Sequence, residues 1–568
     1  MKDDEPPQSS WRRLVPATGW LPSYDRSWWA KDLIAGLTVW ALLVPEGMAY
    51  ATLAGMPPET GLYAAPLALI GYALFGTSRQ LNVGPSSTVA VMSAAVVVPL
   101  AAGDPLRFIE LTTALAILTG AILVVAGALR LGFTADFMSK PVLDGFVVGL
   151  ALVIAAGQLH KLFGFEPEST NFFEDVIFIV RDLEMTNRWA LALGLGSLAM
   201  LFLMERYVPR IPAALTVTMV SIVLVSVFDA PARGVDVVGE IPAGLPELAI
   251  PSGLTLNDWA ALLPGAIGIG VVAFAESVAA ARMYAGRHRY EISADQEMIG
   301  LGVANLGAGI SGAFVVDGSL SKSAAADQAG QRTQMASLLV AAMVLITVVA
   351  LTPLFRNLPE ATLGAIVIHA VWHLVDFGRV VRYARIRRDD LWAGLAALLG
   401  VLVFGILAGL AVAVLLSLIF LIARTSRPTW AILGRVRDEA ADDIAFQDLA
   451  RHAGAETFPG LLILRFDAPL FFANANVFRD AVRASVEEHE SPSVVLIDAE
   501  SISDIDSTAL LMIADLQTEL AERGIDLWFA RVKSRVGDLA DRVKELRPVE
   551  IGSRFPTIRS AVDAFEAR

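Results

Sequence analysis

Long apolar runs alternate with short polar stretches over most of the chain. From about Lys31 to Arg424, runs of about 18 to 25 apolar residues recur, and each is long enough to cross a hydrocarbon core of about 30 Å as a helix. The pattern predicts an all-α membrane domain of about fourteen spans. The predicted starts are Lys31, Pro58, Leu81, Arg107, Lys140, Trp189, Ile211, Trp259, Gln296, Val315, Met335, Ala361, Leu391 and Gly405. Phe172 to Leu183 is predicted to be an amphipathic surface helix.

The pattern changes after Arg427, where charges become frequent and short apolar segments alternate with amphipathic ones. This indicates an α/β domain with the membrane domain before it. We therefore expect an N-terminal segment (1–30), a transmembrane domain (31–427) and a soluble domain (440–568). The predicted strands are 461–466, 469–475, 493–499 and 525–531, and the predicted helices are Val477 to Glu488, Thr508 to Arg523 and Ser534 to Leu546.

Composition supports a membrane protein and narrows its chemistry. Hydrophobic residues make up 55% of the 568, and the mean hydropathy is +0.59. The absence of cysteine excludes disulfides and thiol catalysis. The net charge is −14, and its concentration on the last part of the chain argues against nucleic acid as a partner. The soluble domain has no phosphate loop and no nucleophile beside a base, so we expect neither an enzyme nor a cofactor.

Lysine and arginine predict the orientation. With both termini in the cytoplasm, about fourteen basic residues fall in internal loops and about six in external loops, as the positive-inside rule requires. No cleavable signal peptide is visible, because Met1 to Arg26 is polar and rich in proline. We expect a multi-pass protein of the cell membrane.

An internal repeat relates the two halves of the membrane domain. LLVPEGMAYATLAG (42–55) places Glu46 in the first span, and VVAFAESVAAAR (271–282) places Glu276 in the eighth. Polar breaks follow at similar spacing, in VGPSSTVAV (83–91) and DGSLSKSAA (317–325). Seven spans separate each pair, so the second half enters the membrane inverted. Inverted repeats with interrupted helices are typical of secondary transporters.

The two breaks predict an anion site. Gly84 and Gly318 interrupt a span, and each is followed by a half-helix whose free amides carry partial positive charge. Lys322 adds a full positive charge, and Tyr50, one turn after Glu46, is expected to line the site. The serines suited to cap the half-helices are Ser86, Ser87, Ser319 and Ser321.

Several motifs resemble those of the sulfate permease family, the solute-carrier-26 group. VPEGMAYATLAG followed by GLYAAPL resembles its first-helix signature, and GVANLGAGISGAF, SLSKSA and NLPEATLGAIVI resemble later ones. VLIDAESISDIDSTALLMI resembles its STAS domain. The resemblance implies seven plus seven helices split into core and gate domains, and a homodimer. It also implies an anion such as sulfate, bicarbonate, chloride or a dicarboxylate, bound between the third and tenth half-helices and carried by movement of the core against the gate.

The chain departs from the family at two positions in this site. The usual glutamine of the first helix is Glu46, and the usual arginine of the tenth is Lys322. An additional acid beside an anion site is unfavourable unless it is protonated or paired, so Glu46 indicates proton coupling or a changed substrate. Sodium-dependent members have a hydroxyl one turn after the Glu276 position. Ala280 stands there, which argues against sodium coupling.

Each candidate has a structural alternative. Glu276 is interpreted as the proton-coupling residue, and the alternative is a structural ion pair with Lys322. Glu46 is an anion-site residue or a carboxylate bonded to freed backbone amides. Lys322 faces the site or extends to the interface, and Asp317 is expected to cap the break or face the outer side.

Two smaller features remain. Ser507 and Thr508, in the DIDST turn, are candidate regulatory phosphorylation sites or capping hydroxyls of the next helix. A cytoplasmic protein partner that binds the STAS domain is a further possibility. His369 and His373 are spaced for one helical face, but the sequence supplies no third ligand, so we expect no metal site.

The sequence therefore predicts a secondary active transporter of a small inorganic anion or carboxylate, with the proton as co-substrate and the lipid bilayer as surroundings. Two alternatives stay open. One is an uncoupled anion channel or exchanger of the same fold, and the other is a membrane signalling protein that acts through its STAS domain.

Overall fold

The fold is described by a computed structural model of residues 15–568, apart from 138, 166–171, 182, 209–210, 249, 439–442, 453, 490–491 and 547–552. The chain divides into two compact units, Met1–Ser417 and Leu418–Arg568. Helices and strands are numbered below from Trp29, and a helical turn at Ala17–Trp20 precedes them.

The first unit is helical, and each of the fourteen predicted spans coincides with a helix. Its first-half helices are α1 Trp29–Leu53, α2 Glu59–Phe75, α3 Ser87–Ala101, α4 Pro105–Ala128, α5 Lys140–Phe163, α6 Phe172–Arg181, α7 Arg188–Tyr207 and α8 Ala213–Phe228. The second-half helices are α9 Leu256–His288, α10 Ala294–Ile310, α11 Leu320–Gln328, α12 Met335–Ile346, α13 Glu360–Trp372, α14 Phe377–Ile386, α15 Arg388–Phe404 and α16 Ile406–Ser426. Among the described residues, eight helices are long and apolar enough to cross a membrane, and α2, α3 and α8 are shorter apolar helices.

Small residues allow neighbouring helices of the first unit to approach one another closely. α1 and α2 cross at Gly47 and Gly61, where a Cβ on Gly61 would overlap the carbonyl group of Gly47. In the same way, a Cβ on Gly120 of α4 would lie 2.7 Å from the carbonyl oxygen of Gly302 on α10. Close backbone approach of this kind is how membrane helices gain packing energy without a hydrophobic driving force between them.

The third and tenth spans are interrupted as predicted. An extended segment, β1 (Asn82–Gly84), precedes α3, and a second, β2 (Asp317–Ser319), precedes α11. The two segments pair antiparallel, with Val83 opposite Gly318. Their pairing satisfies backbone groups that would otherwise be unbonded within a membrane. The two breaks therefore meet at one place.

The second unit is a six-stranded sheet with helices. Its strands are β3 Trp430–Asp438, β4 Asp443–Asp448, β5 Leu461–Phe466, β6 Val494–Asp498, β7 Asp526–Ala530 and β8 Arg554–Phe555. Its helices are α17 Ala475–Glu488, α18 Ser507–Glu522, α19 Ser534–Leu546 and α20 Ile558–Glu566. The strand order is β4-β3-β5-β6-β7-β8, parallel from β5 to β8, with β3 antiparallel to both neighbours. Apolar cores cover both faces of the sheet, as an α/β domain requires.

Two sequence predictions for this unit are wrong. Residues 469–475 form a turn that leads into α17, because the Asn474 side chain accepts from the Phe471 amide (3.0 Å) and donates to the Pro469 carbonyl oxygen (2.9 Å). The sheet also begins earlier than residue 440, since the β3–β4 hairpin starts at Trp430.

Candidate substrate-binding site

The crossing of β1 and β2 brings the two breaks into register. Asn82 lies opposite Ser319, and Gly84 lies opposite Asp317. The Gly318 amide donates to the Ser277 hydroxyl of α9 (2.8 Å), and a Cβ at Gly318 would lie 2.9 Å from that oxygen. Glycine is required there because α9 approaches the strand so closely. The predicted breaks thus form one structure, supported from α9.

Buried amide side chains hold the crossing in place. The backbone N–H of Asn82 donates to the Ser323 hydroxyl (2.9 Å), and the side-chain amide of Asn82 donates to Gln331 Oε1 (3.1 Å). Asn305 of α10 accepts from the Val316 amide and donates to the Val316 carbonyl oxygen, both at 2.9 Å. Because these bonds satisfy backbone groups outside regular structure, they fix the paths into both half-helices.

The predicted capping serines are used differently at the two half-helices. Ser319 caps α11, since its hydroxyl accepts from the Lys322 amide (3.3 Å) and lies 3.1 Å from that of Ser321. Ser86 stands at the cap position of α3, yet within the described part of the chain its buried hydroxyl has no partner in hydrogen-bonding geometry. Ser87 and Ser321 lie in the first turns, so capping by those two is wrong.

Lys322 is buried at the centre of the crossing. Its side chain is 2% exposed, and Nζ donates to Glu46 Oε2 (3.1 Å) and to the Pro85 carbonyl oxygen (3.0 Å). Nζ also lies 5.3 Å from the centre of the Tyr50 ring, within cation–π range. Lys322 therefore faces the crossing instead of extending to the interface. Its ion pair is with Glu46, so the alternative of a pair with Glu276 is wrong.

Glu276 lies beside a second carboxyl group. The side chains of Glu276 and Asp317 interact directly, and the Ser86 hydroxyl also interacts with Asp317, although the two do not meet hydrogen-bonding geometry. Asp317 is 1% exposed and lies in β2 opposite Gly84, so the expectation that it caps the break or faces outward is wrong. Strand pairing turns it inward. Two buried carboxyl groups in contact repel when both are ionised, which favours a shared proton.

The sequence alone does not identify three residues of the site, Asp317, Asn82 and Ser277. The sequence pattern predicts a peripheral place for Asp317 and indicates no role for Asn82 or Ser277. The sequence holds a signal for each of them, because NVG and DGS stand at matching positions of the two breaks and Ser277 adjoins Glu276. What the sequence does not show is that the two extended segments pair.

The candidate regulatory residues lie in the second unit. Asp506 caps α18, since its carboxylate accepts from the Ala509 and Phe472 amides, both at 2.8 Å. Ser507 and Thr508 are exposed in the first turn that follows. Capping by either hydroxyl is therefore wrong, and both are accessible.

Two family models match the chain. The sulfate permease family matches residues 29–397, and the STAS domain matches 452–561. A probable sulfate transporter of Mycobacterium tuberculosis is 38% identical, covering 98% of this chain and 99% of its own. Sulfate transporter 4.1 of Arabidopsis thaliana is 32% identical over 90% of this chain and 77% of its own.

Solved structures show the same architecture. The murine solute carrier 26 member A9 anion transporter in the inward-facing state superposes with a TM-score of 0.91 at 25% identity, covering 100% of this chain and 97% of its own. The transmembrane domain of the cyanobacterial bicarbonate transporter BicA covers 69% of this chain and 98% of its own, with a TM-score of 0.61 at 21% identity, and shows a common fold. The chain is a multi-pass membrane protein with a C-terminal STAS domain, and it belongs to the sulfate permease family.

Proposed function

We propose that the chain is a secondary active transporter that carries a small anion, either sulfate, bicarbonate or a dicarboxylate, together with protons. The observation that carries the proposal is Lys322, a cation buried where two half-helices begin. A membrane anchor or sensor has no need for a buried charge there, and such charges mark transport pathways. The sulfate and anion transporters among the relatives support the same class of substrate.

The anion is proposed to lie between the starts of α3 and α11, where amide groups and the Lys322 ammonium are its donors. The residues assigned to this site are Glu46, Tyr50, Gly84, Ser86, Ser87, Gly318, Ser319, Ser321 and Lys322. The Ser86 hydroxyl is buried without a partner in hydrogen-bonding geometry among the described residues, which makes it a candidate donor to a bound anion.

Glu46 occupies the position that an anion's oxygen would take beside Lys322. An anion can reach the ammonium only when the Glu46 carboxylate moves away or gains a proton, because two anions would otherwise share one cation. Glu46 therefore acts in this proposal as a tethered competitor. This role has no counterpart where the family has glutamine, which carries no charge.

Glu276 is proposed to carry the coupled proton, shared with Asp317. Access to the pair from alternate sides of the membrane would load and release that proton with the anion. The transporting movement is proposed to be an elevator-like displacement of the core domain, which holds the crossing, against the gate domain.

The remaining assignments follow from this scheme. Transport is placed in residues 31–427, and the N-terminal segment (1–30) and the STAS domain, whose sheet begins at Trp430, are placed in the cytoplasm, at the plasma membrane. We propose a homodimer, with regulation by a cytoplasmic protein partner of the STAS domain or by phosphorylation of Ser507 or Thr508, which are exposed.

The experiment that tests this function is uptake of labelled sulfate, bicarbonate and succinate into proteoliposomes, with and without an imposed proton gradient. Accumulation of one anion above its external concentration only under the gradient is the expected result. Flux that follows membrane voltage and ignores the proton gradient would instead establish an uncoupled channel. Absence of flux for every small anion would overturn the proposal.

A further inference from the structure

A cluster of two imidazoles and one carboxylate lies away from the proposed anion site, at the C-terminal ends of α7 and α13. His369 Nε2 is 3.0 Å from Glu205 Oε2, and His373 Nε2 is 3.3 Å from the same oxygen. All the candidate donor atoms lie within 4.8 Å of one another. The spacing of the histidines predicted a shared helical face, and the fold supplies the third group, which sequence could not show.

We propose that Glu205, His369 and His373 form a binding site for a divalent transition-metal ion of the zinc class. Zinc sites with three protein ligands commonly use two histidines and a carboxylate, and a water molecule completes the tetrahedron. Imidazole selects zinc, cobalt or nickel over magnesium and calcium, which prefer oxygen ligands throughout. The donor set therefore defines the class of ion.

The distances fit that geometry. With metal–ligand bonds of about 2.0–2.1 Å, neighbouring ligands of a tetrahedral zinc ion lie about 3.3 Å apart. The nitrogen–oxygen separations of 3.0 and 3.3 Å already approach this value. The ion would lie between the carboxylate oxygen and the two Nε2 atoms, and each imidazole would bind it in the tautomer that carries its proton on Nδ1. Only small side-chain movements would be needed to receive it.

The surrounding structure joins the two helices and restricts one of the ligands, His369. Ser197 of α7 and Thr362 of α13 join the same two helices through a hydroxyl contact of 3.0 Å, about 11 Å from the cluster along both helices. The Phe202 ring packs edge-on against the His369 ring at 4.8 Å. The His369 side chain is 17% exposed, so its orientation is restricted before any ion binds.

The other two ligands leave the site open, since the Glu205 side chain is 47% exposed. The His373 side chain is 50% exposed at the end of α13, which gives an ion a route of entry and leaves space for a water ligand. α13 packs against α1, which carries Glu46. A bound ion would join α7 to α13 close to the helix that holds the Lys322 partner.

The test is calorimetric titration of the full-length, untagged, detergent-purified protein with zinc chloride. The chain has no cysteine, so thiols cannot contribute background binding. We expect one zinc ion per chain, and at least about tenfold weaker binding in Glu205→Gln and in His373→Asn. Binding is also expected to weaken as pH falls from about 7.5 to 5.5, because protons compete for the imidazoles.

The matched control is His288→Asn. His288 also contacts a carboxylate, Asp327 at 2.6 Å, but its neighbour there is Arg287 instead of a second histidine. We expect this variant to bind zinc as the wild type does. Equal losses in His288→Asn and His373→Asn, or no zinc binding by the wild type, would overturn the proposal.

A spectroscopic readout separates a formed site from a folding defect. Cobalt is expected to give the strong visible absorption of a four-coordinate ion in the wild type and not in His373→Asn, with both proteins eluting alike on size exclusion. A wild-type spectrum equal to that of cobalt in buffer would contradict the assigned ligands. Magnesium or calcium displacing zinc at equal concentration would contradict the assigned class of ion.

Discussion

The two interrupted spans have the same backbone arrangement and different polar and charged side chains. Each has an extended segment followed by a half-helix, and the segments pair across the crossing. The second span supplies Asp317, a capped helix start and Lys322, whereas the first supplies the Pro85 carbonyl oxygen and the uncapped Ser86. The two halves of the repeat therefore share the backbone geometry of the site and differ in its charged groups.

The two equivalent acids show the same divergence. Glu46 of α1 is paired with a cation, and Glu276 of α9 is in contact with another acid. A cation attracts the carboxylate beside it, whereas two carboxyl groups in contact repel each other when both are ionised. The two equivalent positions thus have different partners, as their proposed roles in competing for the cation and in carrying a proton require.

The largest expected effect separates these two acids. Glu276→Gln should abolish accumulation of the anion against its gradient under a proton gradient, because the glutamine cannot release a proton. Exchange of internal for external anion is expected to persist. Concentrative uptake by this variant in proteoliposomes at acid external pH would show that Glu276 does not couple the proton.

The second-largest expected effect is on anion affinity, when Lys322 of the second break is replaced. Lys322→Ala should weaken anion affinity by about 10- to 100-fold, the range for losing a hydrogen bond to a charged group. The comparison is Ser323→Ala, which removes the hydroxyl that accepts from the Asn82 amide and leaves the cation in place. Equal anion affinities of the two variants in a binding titration would exclude direct contact with Lys322.

A smaller effect compares the two cap positions. Ser319→Ala should lower the free energy of unfolding by about 1 kcal/mol, the usual cost of losing a capping hydroxyl. Ser86→Ala should leave stability nearly unchanged, because its hydroxyl makes no capping bond among the described residues. Thermal unfolding of both variants measures the difference. A larger loss in Ser86→Ala would mean that the first half-helix is capped after all.

The smallest expected effect concerns selectivity and the second unit. Because β3 begins at Trp430, a clean truncation removes residues 428–568 instead of starting at 440. Uptake rate or dimer formation should change, while the ratio of sulfate to succinate uptake stays the same. A shifted ratio would place part of the substrate recognition in the STAS domain.

Much of the fold can be predicted from the sequence, because the length of an apolar run and the residues that form a turn are local features of the chain. The fourteen segments, the two breaks and helices such as Ser534–Leu546 follow from local patterns. The pairing of Lys322 with Glu46, the contact of Glu276 with Asp317 and the approach of Glu205 to two histidines depend on packing between distant segments. Residues 469–475 were misassigned because an apolar run alone does not distinguish a strand from a turn.

Competition between the anion and Glu46 for the Lys322 ammonium is the step on which the proposed mechanism depends. Its most direct test is a binding titration of the transported anion on purified wild type, Glu46→Gln and the double variant Glu46→Gln/Lys322→Ala, which leaves no unpaired carboxylate at position 46. We predict that Glu46→Gln binds the anion more tightly than wild type and that the double variant loses this gain and most of the remaining affinity. A double variant that binds as tightly as Glu46→Gln would contradict this competition.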